Sequence, residues 1–130
     1  FRENENKEKK AWSLVRRAQS FTHAFRGVRL FLMTTPNVLI HIIAAMVVVK
    51  AGFYFQVSSS EWLALVLSIG IVFISEAFNT AIEIDINLTY HPYARDTKDV
   101  AAGAVLLASL FSVVIGLIIF LPKILLYAKM

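Results

Sequence analysis

The sequence predicts an all-α membrane protein, with three transmembrane helices and an N-terminal amphipathic surface helix. Three observations predict it. Of 130 residues, 58% are hydrophobic and only 17% charged, against about 25% charged in soluble domains. The mean hydropathy is +0.66. The apolar residues gather in three runs, each of a length to cross about 30 Å of hydrocarbon at ~1.5 Å per residue. This length builds one domain, which excludes a large multidomain enzyme. With no cysteine, a disulfide framework, a thiolate metal site and a cysteine nucleophile are excluded. A formal net charge of +4 suits nucleic acid in a soluble protein. Beside this hydropathy it points to a membrane surface instead, and no nucleic-acid partner is expected.

Residues 1–10 are polar and mixed in charge and read as a solvated tail or a frayed helix start. Residues 11–34 alternate basic and apolar side chains at helical spacing. Trp12, Val15, Phe21, Phe25, Val28 and Leu32 form one broad apolar face, and Arg16, Arg17, Arg26 and Arg29 add positive charge. A basic amphipathic helix with aromatics lies in a membrane interface. The first span is 37–55, with Pro36 just before it. A turn at 56–61 carries Ser58 and Glu61 at capping-box spacing. The second span is 62–84. Residues 85–98 form a polar loop broken by Pro92. The third span, 100–121, has no charge, and Pro122 and Lys123 end it.

Three spans joined by short loops cross in alternate directions. Of the 13 Lys and Arg, all but Lys50, Lys123 and Lys129 lie before the first span or in the second loop. Basic residues favour the cytoplasmic side. The N-terminus and second loop are therefore expected in the cytoplasm, and the C-terminus outside.

The acids carry the chemistry. Five of them, Glu76, Glu83, Asp85, Asp96 and Asp99, lie at the cytoplasmic end of the second span, in its loop and at the start of the third. Glu76, Asn79 and Glu83 share one helix face at 100° per residue, with Thr80 beside them. Ionisable residues inside a span are costly and by default mark function. Glu83 also suits plain snorkelling to the interface, and Asn79 suits polar glue between helices. Two carboxylates flanking a carboxamide fit phosphoryl transfer: one holds Mg²⁺ beside phosphate, the other accepts a proton from an attacking hydroxyl. Lys98 and Asp99 add a cation for phosphate and another acid. No Walker loop, kinase glycine loop or zincin helix is present. His41 reads as a helix-packing residue and Lys50 as an interface anchor. Trp12 and Trp62 read as belt aromatics, and Ala101, Ala102, Gly103 and Ala104 as a close-packing surface.

The stretch Glu76-Ala-Phe-Asn-Thr-Ala-Ile-Glu83 resembles the E-x-x-N-[ST]-A-I-E signature of the prokaryotic integral-membrane diacylglycerol kinase family. Tyr90-His91-Pro92, Ala94 and the run from Lys98-Asp99 through Ala-Ala-Gly-Ala-Val resemble its second block. Phe25-Arg-Gly-Val-Arg29 is similar to its N-terminal motif. The resemblance covers nearly the whole chain from about residue 15. The His-Pro and Ala-Ala-Gly-Ala-Val features look most like the undecaprenol kinase branch. The resemblance implies an ATP- and Mg²⁺-dependent lipid kinase of the bacterial inner membrane, assembled as a homotrimer. Undecaprenol is its favoured lipid alcohol and diacylglycerol the next.

Carried over by position, the resemblance makes Glu76 the general base, Asn79 its polar neighbour and Glu83 a metal ligand. Lys98, Asp99, Tyr90, His91, Arg16 and His23 fall at nucleotide-binding positions. The family's other metal glutamate falls at Thr35, and a further acid falls at Asn87. The loop between Thr89 and Tyr90 is about three residues shorter than the family's. Two rival readings remain at this stage. One is a catalytically impaired assembly protein of the same fold, which Thr35 and Asn87 favour. The other is a small proton-coupled transporter, for which the Lys98-Asp99 block has no use.

Overall fold

The computed structural model describes residues 1–88 and 92–130. Four helices follow one another: α1 (Arg2–Thr34), α2 (Val38–Tyr54), α3 (Ser59–Leu88) and α4 (Ala94–Ala128). The chain divides into two units, residues 1–34 and residues 35–130.

The first unit is α1 alone, with no buried residue. Its helix begins at Arg2, so the expected tail at 1–10 is helical. That segment is rich in Glu and Lys, which are good helix formers, and Glu3 pairs with Lys7 one turn on at 3.3 Å, a spacing that supports a helix. The Arg16 guanidinium lies over the Trp12 ring, 4.8 Å from its centroid. The apolar face is narrower than expected. At 100° per residue Phe21, Phe25, Val28 and Leu32 share a stripe, whereas Trp12 and Val15 fall on roughly the opposite side.

The second unit is built on α3, which packs against both α2 and α4. Contacts fix the register. Thr35 meets Thr80, His41 meets Glu76, and Gly52 abuts Trp62, so α2 and α3 run antiparallel. Glu61 meets Lys123 and the Ser68 carbonyl accepts from Ser112, so α4 runs antiparallel to α3. At one end Val57, Leu65 and Ile119 form the core, with Phe55, Trp62 and Phe120 against it. The expected capping box is formed. The Ser58 backbone N–H donates to Glu61 Oε1 at 3.0 Å, and the Glu61 N–H donates to Ser58 Oγ at 3.2 Å. Glu61 Oε2 is also 3.1 Å from Lys123 Nζ. Gln56 closes the α2–α3 turn at φ 52°, the left-handed conformation that commonly ends a helix.

The helices outrun their apolar runs. α3 extends from Ser59 to Leu88 and α4 from Ala94 to Ala128; at 85–88 and 94–99 helix continues into more polar sequence, where water can satisfy side chains. Pro122 lies inside α4 rather than ending it. It deprives only the Ile118 carbonyl of its N–H partner, and the apolar Ile124-Leu125-Leu126 turn carries the helix on. Helices α3 and α4, with 30 and 35 residues, are each long and apolar enough to cross a membrane. α2, with 17 residues, spans only ~25 Å at 1.5 Å per residue. Only 28% of the apolar window of α3 and 11% of that of α4 is buried within the chain. Most of both surfaces therefore faces lipid or other chains.

Candidate active site

The polar end of the second unit is where α2 begins, α3 ends and α4 begins. Glu76 sits on the α3 face turned toward α2 and is only 3% exposed. A carboxylate at that depth needs a partner, and the partner is His41, one turn into α2. Its Nε2 is 2.8 Å from Glu76 Oε1. Among the described residues Oε2 of Glu76 has no hydrogen-bond partner. The edge of the His41 ring packs on Phe73, with centroids 6.3 Å apart.

One turn further along α3, Thr80 is buried, and its hydroxyl shares a 2.7 Å hydrogen bond with that of Thr35. Thr35 thus lies directly beside the Glu76 face as a neutral group. Asn79 Nδ2 donates to Glu83 Oε1 at 3.4 Å. Asn79 Oδ1 is buried with no partner among the described residues, an uncommon state for a buried polar atom. Asn79 lines a cleft of about 290 Å³ between α3 and α4, with Ala101 and Ala104 opposite. Ala101 and Ala104 face α3 as a close-packing surface would, while Gly103 has open space where a Cβ would stand. Lys98 is half-buried and lies one turn before Ala101; Asp99 is exposed.

The sequence-predicted residues therefore fall into groups. Glu76, Asn79, Glu83 and Thr35 come together. Lys98 and Asp99 open α4 at the same end. Arg16 and His23 lie on the separate unit α1. Tyr90 and His91 lie outside the described residues. No cluster of three His, Asp or Glu able to hold a metal occurs among the described residues. Mg²⁺ does not need one, since it is bound through one or two carboxylates together with substrate phosphates. The exposed Glu83 carboxylate could serve as such a ligand, while Asn79 turns its Nδ2 rather than its Oδ1 toward it. His41, expected as a helix-packing residue, does join two helices, but its pairing with Glu76 was not foreseen. The signal was there, an ionisable group within an apolar run, but its partner depends on helix register.

Comparison with known proteins adds to this geometry. The chain is 44% identical over 108 residues to the undecaprenol kinase of Bacillus subtilis, covering 81% of this chain and 88% of that one. It is 35% identical over 122 residues to the diacylglycerol kinase of Synechocystis sp., covering 90% of this chain and 70% of that one. Residues 22–120, which include Glu76, Glu83 and Lys98, match the family described as prokaryotic diacylglycerol kinase. That span is more than half of the chain, and with apolar helices and a buried carboxylate at one end it leaves one conclusion: this membrane protein belongs to the prokaryotic diacylglycerol kinase family and is a lipid kinase.

Proposed function

We propose that the chain moves the terminal phosphate of ATP to the hydroxyl of a membrane lipid alcohol, with undecaprenol the favoured acceptor and diacylglycerol the next. The observation that carries the chemistry is Glu76, buried, bonded through one oxygen and open at the other. Oε2 takes the proton as the lipid O–H bond breaks and the new O–P bond forms, while the bond from that phosphorus to ADP breaks. Phosphoryl transfer needs little covalent help, so positioning and charge carry most of the rate. Glu83 would hold Mg²⁺ together with the phosphates, and the ion would supply positive charge to them. The preference for a prenol rests on the greater identity to the undecaprenol kinase and its higher coverage.

Lys98 and Asp99 at the start of α4 are the proposed nucleotide residues nearest Asn79 in register, and Tyr90 and His91 precede them in the chain. Arg16 and His23 of α1 are proposed nucleotide contacts on the resemblance alone. The whole chain acts as one membrane domain, with α2, α3 and α4 as its three spans. Its N-terminus and second loop face the cytoplasm of a bacterial inner membrane, where ATP is. The uncovered apolar faces of α3 and α4 support assembly as a homotrimer.

The test is Glu76→Gln, which keeps shape and removes proton acceptance. Transfer to lipid falls by roughly 10²–10⁴-fold, the usual worth of a general base, with ATP binding retained. Normal turnover by this variant contradicts the assignment.

A further inference from the structure

The carboxylate assigned as base is not free in its pocket. His41 crosses from α2 to meet it, and the two side chains are 19% and 5% exposed. An ionised carboxylate only accepts hydrogen bonds, so His41 Nε2–H is the donor and Glu76 Oε1 the acceptor. Phe73 packs edge-on against the imidazole, with the ring planes at 68°. The same ring borders a cavity of about 320 Å³ between α2, α3 and α4, where Ala44, Ser68, Ser109 and Ser112 also line the wall. A lone carboxylate turns readily about its last torsion, because such sp³–sp² torsions are broad. One tied at Oε1 presents Oε2 in one direction.

We propose that His41 is a positioning residue for the phosphoryl transfer. By donating to Oε1 it fixes the Glu76 carboxylate so that Oε2 alone meets the acceptor hydroxyl. This rests on the lipid kinase reading, and on Glu76 as its base. His41 does not take the substrate proton; its effect passes entirely through Glu76.

The full chain in vesicles with a polyprenol, ATP and Mg²⁺ tests it. His41→Phe lowers kcat roughly 10- to 100-fold, the worth of one hydrogen bond to a charged group, with the KM for ATP little changed. His41→Gln, which keeps an N–H donor on a flexible arm, recovers a large part of that loss. In a Glu76→Gln background His41→Phe costs nothing further, since the pair acts as a unit. A separate arm needs no turnover. The chain has three histidines, so ¹⁵N-imidazole spectra of the protein in detergent resolve His41, and Glu76→Gln shifts its Nε2 signal. An unmoved signal overturns the inference whatever the activity. So does a Gln variant no better than Phe, or a further loss from His41→Phe on top of Glu76→Gln. If the wild-type chain transfers no phosphate to any lipid alcohol, the kinase chemistry and this role fall together, while the spectra still report whether the bond is made.

Discussion

Thr35 and Thr80 form a buried pair of hydroxyls, 2.7 Å apart, beside the face that carries Glu76, Asn79 and Glu83. Each satisfies the other, so the pair costs little to bury, yet it brings no charge to a site that handles phosphates. Glu83 is then the exposed carboxylate of that face nearest Asn79. Two substitutions test this division of labour. Glu83→Gln raises the Mg²⁺ concentration needed for half-maximal transfer, and added Mg²⁺ restores part of the rate. Thr35→Glu adds a carboxylate beside Thr80 and lowers that concentration, at some expense in stability because a carboxylate replaces a satisfied hydroxyl. Titrating Mg²⁺ against activity for both variants checks the pair; identical titrations in all three proteins would remove Glu83 and position 35 from the metal site. Glu76, Asn79 and Glu83 were legible in the sequence because helix periodicity alone puts them on one face. The His41–Glu76 bond was not, because it depends on which turn of α2 faces which turn of α3. Apolar runs of Ile, Val and Ala do not specify that register.

The α2–α3 hairpin sets the register at the end opposite the site. Its turn is written locally: Ser58 and Glu61 cap α3 reciprocally, Gln56 takes the left-handed conformation, and Gly52 lets the Trp62 ring lie against the α2 backbone. A Cβ on Gly52 would stand 2.5 Å from the Trp62 Cη2. The ring, also in contact with Phe53 at 4.9 Å between centroids, has to shift. Gly52→Ala therefore destabilises the unit by about 1–3 kcal/mol, the range for overpacking. Thermal unfolding in detergent measures it, and an unchanged midpoint would mean that the ring is not held there. The capping box could be read from the spacing of Ser58 and Glu61. The Gly52–Trp62 contact could not, since it joins two helices and neither residue announces it. Helix ends were the least legible feature. Hydropathy marks where a helix can sit in lipid, whereas hydrogen bonding decides where it stops, so α3 runs past 84 and α4 begins in polar sequence ahead of 100 and continues beyond 121.

Residues 35–130 form a set of apolar helices, and five of the chain's nine acids lie between Glu76 and Asp99 at one end of that set. In the proposed site ATP reaches Glu83 and Lys98, and the concentration of Lys and Arg before α2 and in the second loop predicts that this end faces the cytoplasm. A reporter fused after Met130 is thus expected outside and one inserted between α3 and α4 inside; the reverse labelling would deny nucleotide access to the site. The central claim is phosphate transfer to a lipid alcohol, with a prenol preferred. The most direct measurement gives the purified chain, in vesicles with Mg²⁺, ATP labelled in its terminal phosphate and either undecaprenol or diacylglycerol at equal surface concentration. Labelled lipid is expected in both, with the larger kcat/KM for undecaprenol. Label that never leaves the nucleotide and inorganic phosphate would contradict it.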